Sequence, residues 1–346
     1  MTEFSPMLSS LDNSKAALMS SLLAHPFAGP EWLRSKHRQS SYSSIYRALP
    51  APALRHERWA TPDHDFLDLY FHEPAPGGDW VLLLHGLEDN INTPYIRGFI
   101  QALGKAGWNV ALMEFRSCSQ ELNRAPRLYH MGETSDLDFV MRWLAPRVAP
   151  ARLHLLGCSL GANVTIKWLG EQGAALPANL ASAAALSAPF DPTIGAANIH
   201  RQLGGLYMKA FLNALLPKAL AKESQYPGVL DVEAVKSCKH FWDFDTHVTA
   251  RLHGFEDADD YWTKVGGHQF LEHIRLPTLL LSAADDPFNP AETLPIDTAN
   301  ASPWLYPLFP QEGGHLGFVY GEQDNPKFWA EEQVIRFYNA VGSSSK

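Results

Sequence analysis

Two hydrophobic periods alternate along this chain. Short, mostly apolar runs of strand length fall at residues 80–84, 109–115, 152–157, 181–188, 277–283 and 304–309. Between several of them, apolar positions recur at helical spacing. Ile96, Phe99, Ile100 and Leu103 mark one face of residues 93–105, and Leu137, Val140, Met141 and Leu144 one face of 134–148. Leu160, Val164, Trp168 and Leu169 give the segment after the 152–157 run the same stripe. Two further strands, 55–60 and 65–72, are separated by a turn at Pro62-Asp63, and a final helix is predicted from about Pro326 to Ala340. Eight strands interleaved with helices imply a mostly parallel sheet covered by helices on both faces.

The alternation stops between about residues 190 and 270, a stretch rich in helix formers, aromatics and histidines. Its place between the sixth and seventh strands predicts a helical cap over the strand ends. Residues 51–345 are thus expected to form one domain carrying this insertion, and residues 1–50 an N-terminal extension. Leu11, Leu18, Met19, Leu22 and Leu23 sit near helical spacing in that extension. A helix packed on the domain, or a loose tail, fits its scarcity of basic residues better than a membrane-surface helix, leaving peripheral membrane contact as the alternative. Ser343 to Ser345 form a Ser-rich tail.

Composition narrows the function classes. A formal charge of −9 argues against binding the phosphate backbone of nucleic acids. No apolar run approaches a membrane span, and the N-terminus, with Glu3 and Asp12, does not read as a secretory signal. Cys118, Cys158 and Cys238 are an odd number without metal-like spacing, which fits a reducing, cytoplasmic compartment. The oligomeric state is not encoded in any recognisable way.

The chemistry centres on Gly157-Cys158-Ser159-Leu160-Gly161. This Gly-x-Ser-x-Gly pattern arises by chance in roughly one chain in ten of this length. Its flanks, a strand before and a helix after, are what a nucleophile elbow requires. A serine hydroxyl is a weak nucleophile until a neutral imidazole takes its proton and a carboxylate orients the ring. Both partners follow, each after a strand. The 277–283 run ends in Asp285-Asp286, and the 304–309 run leads to Gly313-Gly314-His315. Asp286, four residues before Pro290, is expected to be the orienting acid, and Asp285 to bond loop amides. His315 is singled out from 15 histidines by its place in this order and its glycine-flanked loop. Ser, Asp, then His is the chain order of the α/β-hydrolase fold. Oxyanion donors are expected from the backbone amides of Leu160 and Leu87, with His85 fixing the loop that carries Leu87. His253 and His268 look isolated, and no metal, cofactor or dinucleotide motif stands out. The acidic stretch Asp243, Asp245, Glu256, Asp257, Asp259 and Asp260 reads as solvated surface. Phe241, Trp242, Phe255, Tyr261 and Trp262 are candidates for lining an acyl pocket.

The chain resembles the YheT-like α/β-hydrolases, a group related to the ABHD1/ABHD3-type lipid hydrolases. The resemblance runs from about Phe27 to Phe337. It rests on blocks such as His85-Gly86-Leu87-Glu88 with Pro94-Tyr95, Phe115-Arg116 with Cys118-Ser119, Tyr129-His130 with Gly132-Glu133-Thr134, Phe244-Asp245 with Thr249-Ala250, and Asp285-Asp286-Pro287-Phe288. It implies a charge-relay set of Ser159, Asp286 and His315 and hydrolysis of short- to medium-chain acyl or lipid esters. Ser117, Gln120 and Ala162 stand where the family usually has glycines, and Glu88-Asp89 where it usually has an acid followed by glycine. An acyltransferase passing the acyl group to an alcohol, or a binding protein on a hydrolase fold, are the alternatives.

Overall fold

The computed structural model describes residues 4–343. Its centre is an eight-stranded sheet in the order β1-β2-β4-β3-β5-β6-β7-β8. β1 (Arg55–Ala60) and β2 (Phe66–His72) form an antiparallel pair at one edge, and every pairing from β4 to β8 is parallel. The parallel strands are β3 (Trp80–Leu84), β4 (Asn109–Met113), β5 (Leu153–Cys158), β6 (Leu180–Leu186), β7 (Thr278–Leu281) and β8 (Leu305–Leu308). β4 and β5 are buried along their whole length. A strand covered on both faces has no water-facing side to alternate toward, hence the continuous apolar runs.

Helices cover both faces. In chain order they begin with α1 (Phe4–Leu23), α2 (Lys36–Tyr46), α3 (Pro94–Lys105), α4 (Ser135–Val148) and α5 (Leu160–Gln172). Between β6 and β7 the chain leaves the sheet and builds the cap from α6 (Pro192–Arg201), α7 (Leu206–Gln225), α8 (Val232–Ser237), α9 (Phe241–Phe244), α10 (Ala250–His253) and α11 (Ala258–Val265). A π-helical turn, Asp245–Thr249, joins α9 to α10. The cap has its own apolar core around Met208, Leu212, Leu215, Val235 and Phe244. After β7 come α12 (Ile296–Ala301) and β8, and α13 (Trp329–Ser343) closes the chain.

The predicted final helix starts too early. Residues Asn325–Phe328 form a strand, β10, paired antiparallel with β9 (Val319–Glu322), and the helix begins at Trp329. Strands of four residues leave too little periodicity to read, and Pro326 looks like a helix-opening proline when it lies opposite Gly321.

The first two helices lie on the sheet domain. Leu22 is fully buried, with Leu18 and Met19 beside it, in a cluster that includes Phe337 and Tyr338 of α13. The side chain of Leu11 and most of the Ser343 to Ser345 tail fall outside the described residues. Beyond α2, Arg47 forms a buried ion pair with Glu331 of α13 at 2.6 Å. Among the described residues, no helix is long and apolar enough to cross a membrane.

Candidate active site

β5 and α5 meet at Ser159, whose φ of 52° and ψ of −118° lie in a region that L-residues avoid. The turn is this sharp because its flanks carry no side chains. A Cβ at Gly157 would stand 2.3 Å from the Gly161 carbonyl oxygen, and one at Gly161 would stand 2.6 Å from that of His85. The Ser159 amide is tied to the Leu186 carbonyl of β6 at 2.8 Å. The elbow therefore stands at the C-terminal ends of the central strands.

Asp286 and His315 arrive there from the loops after β7 and β8. His315 Nε2 lies 2.9 Å from Ser159 Oγ, and Nδ1 lies 2.8 Å from Asp286 Oδ2. An ionised carboxylate only accepts, so Nδ1 carries the proton and Nε2 accepts from the serine hydroxyl. Asp286 is buried, and its Oδ1 accepts the amides of Phe288 and Asn289 at 2.7 and 3.2 Å. Asp285 accepts the Gly314 amide at 2.9 Å instead, the loop-bonding part expected of it. The Phe288 ring packs against the imidazole with centroids 4.4 Å apart.

The loop after β3 is held from several sides. His85 is fully buried; its Nε2 accepts the Phe115 amide at 3.0 Å, and burial lowers its pKa to about 4. It is a neutral loop anchor. Tyr95 Oη accepts the Gly86 amide at 3.0 Å and donates to Asp89 Oδ2 at 2.7 Å. Burial raises the Asp89 carboxyl. Glu88 has a φ of 62°, its amide donates to Tyr129 Oη at 2.7 Å, and that hydroxyl donates back to Glu88 Oε1 at 2.8 Å. Leu87 and Leu160 both line the same cavity as Ser159. As the first residue of α5, Leu160 has an amide without a helical acceptor.

Sequence reasoning missed the scaffolding of the histidine loop. The His315 amide donates to Ser40 Oγ of α2 at 2.8 Å, and the Leu316 amide to Ser187 Oγ at 3.1 Å. Nothing in the pattern of residues 36–46 signals contact with a loop 275 positions away. Ser117 is legible in hindsight: it has a φ of 64°, as a glycine would, and its hydroxyl accepts the Asn123 amide at 3.1 Å.

Above the elbow lies a cavity of about 110 Å³, walled by Leu87, Met131, Ile199, Phe211, Leu215 and Phe244 among others. Of the five cap aromatics expected there, Phe241, Tyr261 and Trp262 line it. Trp242 is instead 43% exposed, and Phe255 packs against His130 and Tyr261.

Two expectations about the cap need correction. His253 is not isolated: its ring meets His130 edge-on at 4.3 Å, and with Glu133 the three offer ligand atoms within 4.8 Å of one another. Two of the three have other commitments, while His253 Nε2 is buried without a hydrogen-bond partner among the described residues. The Gly132 amide donates to His130 Nδ1, placing the proton on Nε2, and Glu133 is held by Arg127 and Ser135. Burial lowers both histidines, His253 to about 4, so both rings are neutral. Asp245, assigned to a solvated acidic surface, is instead buried in the cavity wall.

No family model matches the chain. It is 34% identical over 305 residues to YheT of Escherichia coli strain K12, to which an esterase activity is ascribed, across 86% of this chain and 88% of the relative. It is 28% identical over 242 residues to the phospholipase ABHD3 of Mus musculus, across 70% of this chain and 58% of that longer protein. Among solved structures, an esterase of Pyrococcus furiosus superposes with a TM-score of 0.54 at 16% identity, covering 91% of this chain and 98% of the esterase, a likeness of fold.

Proposed function

The chain belongs to the family of YheT-like α/β-hydrolases and is a carboxylic ester hydrolase, and we propose that Ser159, His315 and Asp286 carry out the hydrolysis through an acyl-enzyme. The observation that supports this most directly is the unbroken relay from Ser159 Oγ to His315 Nε2 and from Nδ1 to Asp286, with spacings of 2.9 and 2.8 Å. Ser159 Oγ attacks the ester carbonyl while its proton passes to His315 Nε2. Asp286 holds the ring and stabilises the imidazolium. The carbonyl oxygen becomes an oxyanion held by the Leu87 and Leu160 amides. The imidazolium returns its proton to the departing alkoxide as the carbon–oxygen bond breaks. Water, deprotonated by His315, attacks the acyl-serine, and collapse of the second intermediate frees the carboxylic acid and restores Ser159.

The apolar wall of the cavity supports short- to medium-chain acyl or lipid esters as substrates. The three free, buried cysteines support a cytoplasmic setting. The test is a panel of esters graded in acyl length, run on wild type and Ser159→Ala, with a fluorophosphonate probe of the nucleophile. A maximum at one chain length, with activity and labelling lost in Ser159→Ala, is expected. Labelling that persists in that variant rules out Ser159.

A further inference from the structure

Beside the relay residues, the cavity wall carries a few polar side chains, among them Asp245 and Tyr261, which the cap brings to it. Asp245 opens the π-helical turn, an irregularity often found at functional positions. Its Oδ1 accepts from Thr249 Oγ1 at 2.6 Å and its Oδ2 from Trp262 Nε1 at 2.8 Å. Both donors are neutral. A carboxylate has about four acceptor sites, so two are still open, and among the described residues no cation stands beside it to offset its burial. Burial accordingly lifts its pKa to about 6, against the two hydrogen bonds. Such a group is costly unless a further donor reaches it.

Tyr261 complements it. Its hydroxyl accepts the Met131 amide at 3.0 Å, so the phenolic proton is left to donate, and no acceptor for it occurs among the described residues. The residue is 2% exposed, and its phenol is close enough to Asp245 to be held further in the protonated form by that charge. One buried acceptor and one buried donor therefore face the same small cavity as Ser159.

We propose that Asp245 and Tyr261 form a subsite for a hydroxyl group of the substrate, so that hydroxyl-bearing esters are preferred over simple alkyl esters. This rests on the ester-hydrolase reading above. A hydroxyl donates to Asp245 and accepts from Tyr261 at once. An ammonium group satisfies only the first, and a quaternary one offers Asp245 a charge but neither group a hydrogen bond. Discrimination of this kind is strong because a ligand without the hydroxyl leaves both buried groups unpaired.

The test compares ethyl, hydroxyethyl and trimethylammonioethyl esters of one fatty acid. Wild type is expected to favour the hydroxyethyl ester over the ethyl ester by about tenfold in kcat/KM, the equivalent of about 1.4 kcal/mol. Asp245→Asn and Tyr261→Phe are each expected to bring that ratio close to one. Tyr261→Phe removes a single oxygen, so it keeps the comparison open if Asp245→Asn fails to fold. A wild-type ratio near one, a ratio unchanged in folded variants, or a preference for the trimethylammonioethyl ester overturns the subsite while leaving the hydrolase intact. Failure of wild type to cleave any of the three overturns the hydrolase reading and the subsite with it.

Discussion

Lys218, on the cap helix α7, reaches Glu88 in the loop after β3, with Nζ 2.6 Å from Oε2. Glu88 follows Leu87 directly and is held in the left-handed region, its amide and its other carboxylate oxygen both bonded to Tyr129 Oη. The cap helix α7 and the backbone that follows Leu87 are thus mechanically joined. The side chains of both ion-pair partners are largely shielded from solvent, so removing one strands the other.

Lys218→Met is therefore expected to lower kcat about tenfold, with KM changed less than about threefold. That is part of the loss seen when an oxyanion donor is removed outright. Lys218→Arg should restore most of it. Steady-state kinetics, paired with the affinity for a trifluoromethyl ketone that forms a hemiketal oxyanion, checks this. An equal affinity for that inhibitor in wild type and Lys218→Met would mean that the ion pair serves stability alone.

The elbow stores backbone strain that glycine relieves and alanine does not, since Ser159 has a φ of 52°. Both Ser159→Gly and Ser159→Ala are expected to be inactive. The glycine variant should be the more stable of the two by about 1 kcal/mol, within the range for a residue released from a disfavoured region. Denaturant unfolding of the two variants measures the difference.

The histidine loop depends on α2. A Cβ at Gly317 would stand 2.6 Å from the Gln39 carbonyl oxygen of that helix, and Ser40 Oγ accepts the His315 amide. Ser40→Ala leaves that amide without its partner and is expected to lower kcat several-fold at little change in KM, at a stability cost of about 1 kcal/mol. Gly317→Ala should cost more, about 2 kcal/mol or above, because backbone cannot yield as a side chain does. Kinetics and melting of the two variants, side by side, test the ranking.

Asp245 makes folding stability depend on pH. Its pKa is raised from 3.8 to about 6 in the folded chain, so the folded state holds its proton more tightly than the unfolded one. Its contribution is therefore most favourable below about pH 4 and is lost as pH rises through about 6. The loss approaches about 3 kcal/mol, an upper figure for a shift of this size. Asp245→Asn should be free of this decline. Relative to wild type, the variant should gain stability between pH 4 and pH 7, read from urea unfolding at each pH. A difference that does not vary with pH would show that the Asp245 carboxyl titrates alike in the folded and unfolded chain.

The sheet and the relay were legible for a local reason. A strand buried on both faces must be continuously apolar, and Ser159, Asp286 and His315 each follow such a strand, so sequence order alone pointed to one site. The hairpin Val319–Glu322 with Asn325–Phe328 was not legible, because four residues carry no measurable period. The glycines before His315 set it apart in the sequence. In the structure Gly314 and Gly317 admit α2 against the loop, while Gly313 makes room for the Phe318 ring.

The chain's own order of apolar runs, turn residues and reactive groups thus determined the α/β layering and pointed to Ser159, Asp286 and His315, which the fold brings within hydrogen-bond distance. These depend on interactions within a strand and its following loop. Tertiary structure alone decided what surrounds them: Ser40 beneath the histidine, Lys218 across to Glu88, and Asp245 in the cavity wall where an acidic run suggested solvent. Those contacts join residues up to 275 positions apart, and a side chain's surroundings at such range are set by how the layers pack, which no local pattern records.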